Sequence, residues 1–76
     1  SRSVLCNNNS AVALSEDHKP DDDIEISRIQ SAGGQIYNGR VNGGLNLTRS
    51  IGDFAYKQNK GLPYDQQLII CKPDVK

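Results

Sequence analysis

Gly33-Gly34, Asn38-Gly39, Asn42-Gly43-Gly44 and Ile51-Gly52-Asp53 punctuate the middle of this chain so densely that neither a long helix nor a long strand fits between them. Glycine enters left-handed backbone conformations without steric penalty, and Asn-Gly is the strongest short signal for a two-residue hairpin turn. Short strands joined by tight turns are therefore predicted from Gln35 onward. Leu45 and Leu47 alternate with Asn46 and Thr48, which predicts a strand with one apolar face. Phe54-Ala55-Tyr56-Lys57 reads as one helical turn, and Gln58 to Gln66, with Gly61 and Pro63, as a polar loop. Leu68-Ile69-Ile70-Cys71 is predicted as the last strand, ended at Lys72-Pro73-Asp74 because proline cannot donate to a ladder.

The first third has a different texture. Val4-Leu5-Cys6 and Ala11-Val12-Ala13-Leu14 flank the turn-forming Asn7-Asn8-Asn9-Ser10, a hairpin pattern. The two runs are nearly continuous in apolar character, so burial on both faces within a larger sheet system is expected. Asp21-Asp22-Asp23 then opens a helix. Asp22 as N-cap with Glu25 three residues later has capping-box spacing, and first-turn carboxylates complement the helix dipole. Ile26, Ile29 and Ala32 form one stripe, Glu25 and Arg28 are spaced for a surface ion pair, and Gly33-Gly34 stops the helix.

Leu, Ile, Val and Phe supply only 18 of 76 residues, too few for a generous core in a chain this short. Small scaffolds of this kind normally carry staples. Cys6 and Cys71 are the only candidates, and they fit reduced, half-buried thiols in an intracellular protein better than a disulfide framework. Together with the opening Ser1-Arg2-Ser3, which runs straight into apolar residues, this reads as part of something longer. Nine basic and nine acidic residues balance to a net charge of +0, which gives no bulk electrostatic case for nucleic acid or an acidic membrane. The apolar runs are too short to span a bilayer or to form a signal-peptide core.

Few residues have the makeup of a chemical site. Asp21-Asp22-Asp23 is rich in carboxylate, but adjacent helical positions diverge and no EF-hand spacing surrounds them, so capping is the better assignment. Asp17-His18 resembles an acid/base pair, yet no Ser or Cys stands as its nucleophile, and a structural hydrogen-bonding role is favoured. The glycines lack dinucleotide-binding and Walker spacings. Arg40, between Asn-Gly turns, is placed where an exposed guanidinium suits a phosphate through two parallel hydrogen bonds, although taken alone it is an ordinary surface arginine. Arg49 and Asp53, four residues apart around Gly52, are expected to pair and fix a turn.

Taken in order, a run of motifs is more specific than any of these. Ser1-Arg2-Ser3-Val4-Leu5, Leu14-Ser15-Glu16-Asp17-His18-Lys19-Pro20, Glu25-Ile26-Ser27-Arg28-Ile29, Ala32-Gly33-Gly34, Arg40-Val41-Asn42-Gly43, Thr48-Arg49-Ser50-Ile51-Gly52-Asp53 and Pro73-Asp74-Val75 follow one another with consistent spacing. Through them the whole chain resembles the metal-dependent Ser/Thr protein phosphatases of the PPM, or type 2C, family.

The resemblance implies an α+β fold in which residues 1–76 are part of a four-layer α-β-β-α sandwich, two antiparallel sheets flanked by helices, and do not form an independent domain. Residues 17–43 correspond to the flap beside the catalytic cleft and carry one helix, while 1–16 and 44–76 supply sheet strands and a connecting loop. The family hydrolyses phosphoserine and phosphothreonine with water activated by a pair of Mg²⁺ or Mn²⁺ ions. Its metal-binding acids lie in an Asp-Gly motif upstream and in Asp-Gly-x-x-Asp and Asp-Asn motifs downstream. None of these occurs here, so the segment is expected to contain no catalytic residue, to bind no metal and to be inactive alone. Arg40, with Asn42 beside it, is the expected contact to substrate, and Asp17, His18, Arg49 and Asp53 are expected to support the cleft. Implied partners are phosphorylated proteins and the rest of the phosphatase domain, in the cytoplasm or nucleus. The alternative is a non-catalytic pseudophosphatase or protein-interaction module of the same fold.

Overall fold

A computed structural model describes residues 1–75; Lys76, the last residue of the expected 44–76 segment, lies outside the described residues. Asn8 and Asn9 have φ of 50° and 65°, the positive pair that a two-residue hairpin turn requires. They join β1 (Val4–Asn7) to β2 (Ser10–Ala13), antiparallel with Val4 opposite Ala13. The predicted hairpin is present, and every residue of both strands is exposed, the expected burial being that of a larger sheet system than the described residues form. Val4, Leu5, Val12 and Leu14 lie open because no described residue covers either face.

The helix α1 (Asp23–Ser31) begins after a Lys19–Asp22 turn, in which the Asp22 amide donates to the Lys19 carbonyl at 3.0 Å. Asp22 is the N-cap residue but makes no side-chain cap bond. Its carboxylate turns back to accept the Lys19 amide at 3.3 Å. The expected capping box therefore does not form, because Glu25, its other half, faces inward to a stronger set of donors described below. At the other end Gly33 has φ of 87°, and the Gly33 and Gly34 amides reach the carbonyls of Gln30 at 3.0 Å and Ile29 at 2.9 Å. That paired bonding is a Schellman stop.

Two short strands follow, β3 (Ile36–Tyr37) and β4 (Arg40–Val41), antiparallel around Asn38-Gly39 with φ of 51° and 70°. Asn42-Gly43 turns the chain again, so that the Val41 amide donates to the Leu45 carbonyl at 2.7 Å. Beyond this the sequence promised more strand than forms. The Leu45–Thr48 segment is reduced to an isolated bridge at Leu45, and Leu68–Cys71 to a parallel bridge between Arg49 and Ile70. The Arg28 guanidinium lies between the two segments and donates to the carbonyls of Thr48 at 2.8 Å and Leu68 at 3.3 Å; the Thr48 carbonyl still accepts the Ile70 amide at 3.4 Å, but the Thr48 amide, which would extend the ladder to Leu68, donates to the His18 carbonyl at 3.3 Å. The predicted helical turn appears as a 3₁₀ turn at Phe54–Tyr56, and a second occupies Tyr64–Gln66 within the polar loop. Buried Gln67 ties that loop down, donating to the Asn59 carbonyl at 2.7 Å and the Leu62 carbonyl at 2.9 Å.

Ile29, Val41 and Ile69 are fully buried and form the core, with Ile36, Leu45, Tyr56 and Leu68 packed against it. Of the helix stripe only Ile29 is fully inside; Ile26 and Ala32 are half-buried. Cys6 and Cys71 are free, as expected, but exposed where half-burial was expected. One helix and two separate two-stranded antiparallel sheets make an α+β chain. Among the described residues no helix is long and apolar enough to cross a membrane.

Candidate functional site

Glu25 sits in the first turn of α1 with 1% of its surface exposed. Two arginines and a threonine surround it. Arg49 donates through Nε to Oε1 at 2.8 Å and through Nη2 to Oε2 at 3.0 Å, the two-pronged geometry a planar guanidinium favours. Arg28 Nη1 donates to Oε2 at 3.0 Å and Thr48 Oγ1 to Oε1 at 2.7 Å. Burial pushes the Glu25 carboxyl up, but the hydrogen bonds from Arg49, Thr48 and Arg28 outweigh it and hold the pKa down at about 2. Glu25 and Arg28 thus pair as their spacing predicts, though in the interior and not on the surface. Arg28 completes its valence with the Gln67 carbonyl at 3.1 Å. No buried side-chain polar atom is left without a partner among the described residues.

Arg49 carries this network outward. Its Nη1 donates to the Lys72 carbonyl at 3.1 Å and to Asp74 Oδ1 at 2.8 Å. Asp74 also meets His18 Nε2 at 2.9 Å, and the bonds from His18 and Arg49 lower its pKa. Glu25, Arg49, Asp74, His18 and Asp17 border an open cleft of about 440 Å³. Here one expectation is corrected. Arg49 does not pair with Asp53: the carboxylates of Glu25 and Asp74 hold it, because both lie on segments packed against its strand bridge. Asp53 instead adopts a left-handed backbone, φ 50° and ψ 48°, and accepts the Ser50 hydroxyl at 2.6 Å. Asp17 and His18 each take a hydrogen-bonding role of the kind favoured for them, with different partners. Asp17 turns to Arg2, whose Nε donates at 3.1 Å and whose hydrogen bond lowers the carboxyl pKa, while His18 faces Asp74.

Arg40 in β4 and Asn42 just after it are exposed and do not border this cleft. Asn42 is committed to the turn: its Oδ1 accepts the Gln35 amide at 2.9 Å and its amide donates to the Gln35 carbonyl at 2.7 Å. Arg40 Nη1 donates to the Gly44 carbonyl at 2.9 Å. Among the described residues Arg40 is the arginine without a carboxylate partner, whereas Arg2, Arg28 and Arg49 each have one. Its guanidinium keeps most of its donors for an external anion.

The sequence reading missed Glu25, Arg28, Thr48 and Asp74 as a unit. The i, i+3 spacing of Glu25 and Arg28 was a usable signal; that both were interior was not, since their partners lie about twenty to forty residues away. The described residues contain no group of three His, Cys, Asp or Glu side chains arranged to hold a metal ion. Glu25 and Asp74 beside the cleft are engaged by guanidinium, hydroxyl or imidazole groups instead. This arrangement does not fit a metal. What the site does chemically is fix one backbone element against another and present a cation.

The family profile described as Protein phosphatase 2C matches residues 1–76. Protein phosphatase ppm-1.G of Caenorhabditis elegans is 60% identical over 76 residues, covering 100% of the chain and 16% of the relative. Probable protein phosphatase 2C 3 of Paramecium tetraurelia is 57% identical, covering 100% of the chain and 25% of the relative. Human Protein phosphatase 1G is 52% identical over 77 residues, covering 100% of the chain and 14% of the relative. A crystal structure of a phosphatase from a pathogenic strain of Toxoplasma gondii superposes with a TM-score of 0.87 at 40% identity, over 96% of the chain and 23% of the solved one. The chain thus spans a quarter or less of the length of these relatives.

Proposed function

The chain belongs to the protein phosphatase 2C family, and from that premise we propose that it serves a protein serine/threonine phosphatase as the flap and adjoining sheet segments. Residues 17–43 form the flap, and the complete protein hydrolyses phosphoserine and phosphothreonine in intracellular phosphoproteins. Mg²⁺ or Mn²⁺, held by acids outside these residues, supplies activated water and charge neutralisation when bound. This chain's own part is recognition. Arg40 donates to acidic neighbours of the phosphorylated residue, Asn42 holds the turn that presents it, and Asp17, His18 and Arg49 brace the flap's base. Asp53 braces the turn after Arg49 through Ser50.

The observation that carries this role is the unpaired guanidinium of Arg40 at an exposed hairpin end, in a chain whose other arginines are all matched to carboxylates. In the complete protein, Arg40→Ala is expected to lower kcat/KM for a phosphothreonine peptide about tenfold, the worth of one charge-assisted hydrogen bond, with metal affinity nearly unchanged. An unchanged kcat/KM refutes the role. The 76-residue chain on its own is expected to show no Mn²⁺-dependent turnover of the same peptide. A non-catalytic module is not favoured, because relatives at 52% to 60% identity are named as phosphatases.

A further inference from the structure

A buried ionic cluster is an inefficient way to gain stability, since well-packed apolar residues of the same volume usually serve as well or better. What such a cluster does supply is direction. The two-pronged Arg49–Glu25 contact, with Arg28 and Thr48 on the remaining lone pairs, fixes both the position and the rotation of the first turn of α1 against the Thr48–Arg49 segment. An apolar contact would let the helix slide or roll.

The rotation of α1 is transmitted to the hairpin. Ile29, one turn further along the helix, packs in the sealed core with Val41 of β4. Gly34, just past the helix, is so close to Leu68 and Ile29 that a Cβ would overlap Leu68 Cδ2 and approach Ile29 Cγ2 to 2.9 Å. Between Gly34 and Val41 the chain is pinned by the Gln35–Asn42 bonds at 2.7 Å and 2.9 Å. The residue before Val41 is Arg40. The Ile29–Val41 packing and the Gln35–Asn42 bonds link the helix that carries the Glu25 cluster to the strand that carries Arg40.

We infer that Glu25 is a positioning residue for phosphopeptide recognition, setting the orientation in which β3–β4 presents Arg40. This rests on the substrate role proposed for Arg40. Glu25 touches no substrate; it acts through α1 and the Ile29–Val41 contact.

The test uses the complete protein, a phosphothreonine peptide and para-nitrophenyl phosphate, a substrate with no acidic neighbours for Arg40 to hold. Glu25→Gln keeps the side chain's size and loses its charge. The ratio of peptide to aryl-phosphate kcat/KM is expected to fall about tenfold, mainly through KM for the peptide, since small misplacements of a recognition group are felt strongly. In an Arg40→Ala background the same substitution should change the ratio by less than about twofold, because coupled residues do not add. Equal losses on both substrates, or an undiminished loss in the Arg40→Ala background, overturn the inference while leaving the role of Arg40 intact. An Arg40→Ala protein with an unchanged ratio overturns that role and the inference with it. If Glu25→Gln yields no folded protein, Thr48→Val removes a single bond to Glu25 Oε1, and an unchanged ratio in that variant overturns the inference.

Discussion

Arg28 is the side chain on which the packing of α1 turns, and replacing it by methionine isolates its polar contribution. Methionine fills a similar volume with an unbranched, adaptable chain. The substitution removes donors to Glu25 Oε2 and to the carbonyls of Thr48, Gln67 and Leu68. Glu25 keeps Arg49 and Thr48, and the Thr48 carbonyl keeps a long bond from the Ile70 amide at 3.4 Å. The carbonyls of Gln67 and Leu68 lose their donor in the interior, at about 1–3 kcal/mol for each unsatisfied group. Breaking one side of a buried ion pair typically costs about 3–5 kcal/mol in total. A local destabilisation of about 3 kcal/mol follows, which by hydrogen exchange in the complete protein is an acceleration of about two orders of magnitude for the amides of residues 26–32. Exchange accelerated less than about fivefold would mean the pair contributes no more than a surface salt bridge, and the interior role assigned to Arg28 would be refuted.

Two further outcomes are open to measurement. Glu25 has its pKa lowered from 4.5 to about 2, so its contribution is fully present above about pH 5 and is lost as pH falls toward 2; the shift corresponds to about 3 kcal/mol. Acid titration of the complete protein, followed by exchange in α1, should show this loss in the native protein and not in Glu25→Gln; the same acid profile in both would assign the loss to other groups. At Asp53, where φ is 50°, Asp53→Gly should fold as stably as the native protein, whereas Asp53→Ala should lose about 1 kcal/mol from left-handed strain and the missing bond to Ser50. Thermal unfolding midpoints for the two variants check this, and an alanine variant as stable as the glycine one contradicts it.

What was legible in the sequence was what local chemistry decides. Gly33-Gly34 had to end α1, and Asn38-Gly39 had to turn a hairpin, because few other residues accept positive φ. Asn8-Asn9 followed the same logic. The errors arose where distant residues outcompeted a local pattern. Glu25 has capping-box spacing to Asp22, but two guanidinium groups offered its carboxylate more than a backbone amide could. The alternation at Leu45 and Leu47 describes a strand face, yet the Thr48 amide goes to the His18 carbonyl and Arg28 takes the Leu68 carbonyl, so the Arg49–Ile70 pairing stays a single bridge. Arg49 and Asp53 looked paired because they are four apart; Asp74, 25 residues away, was placed better. The apolar runs of β1 and β2 were read as buried within a larger sheet system, and a hairpin standing free of one is exposed, as it is here.

The most direct measurement is a crystal structure of the complete protein with a phosphothreonine peptide bound. The expected result has Glu25 bridged to Arg28 and Arg49 as in this chain, and the Arg40 guanidinium within about 3 Å of an acidic oxygen of the peptide beside the phosphorylated residue. A bound peptide that leaves Arg40 in solvent, more than about 6 Å from any of its anionic groups, would contradict the recognition role from which the function proposed for this segment follows.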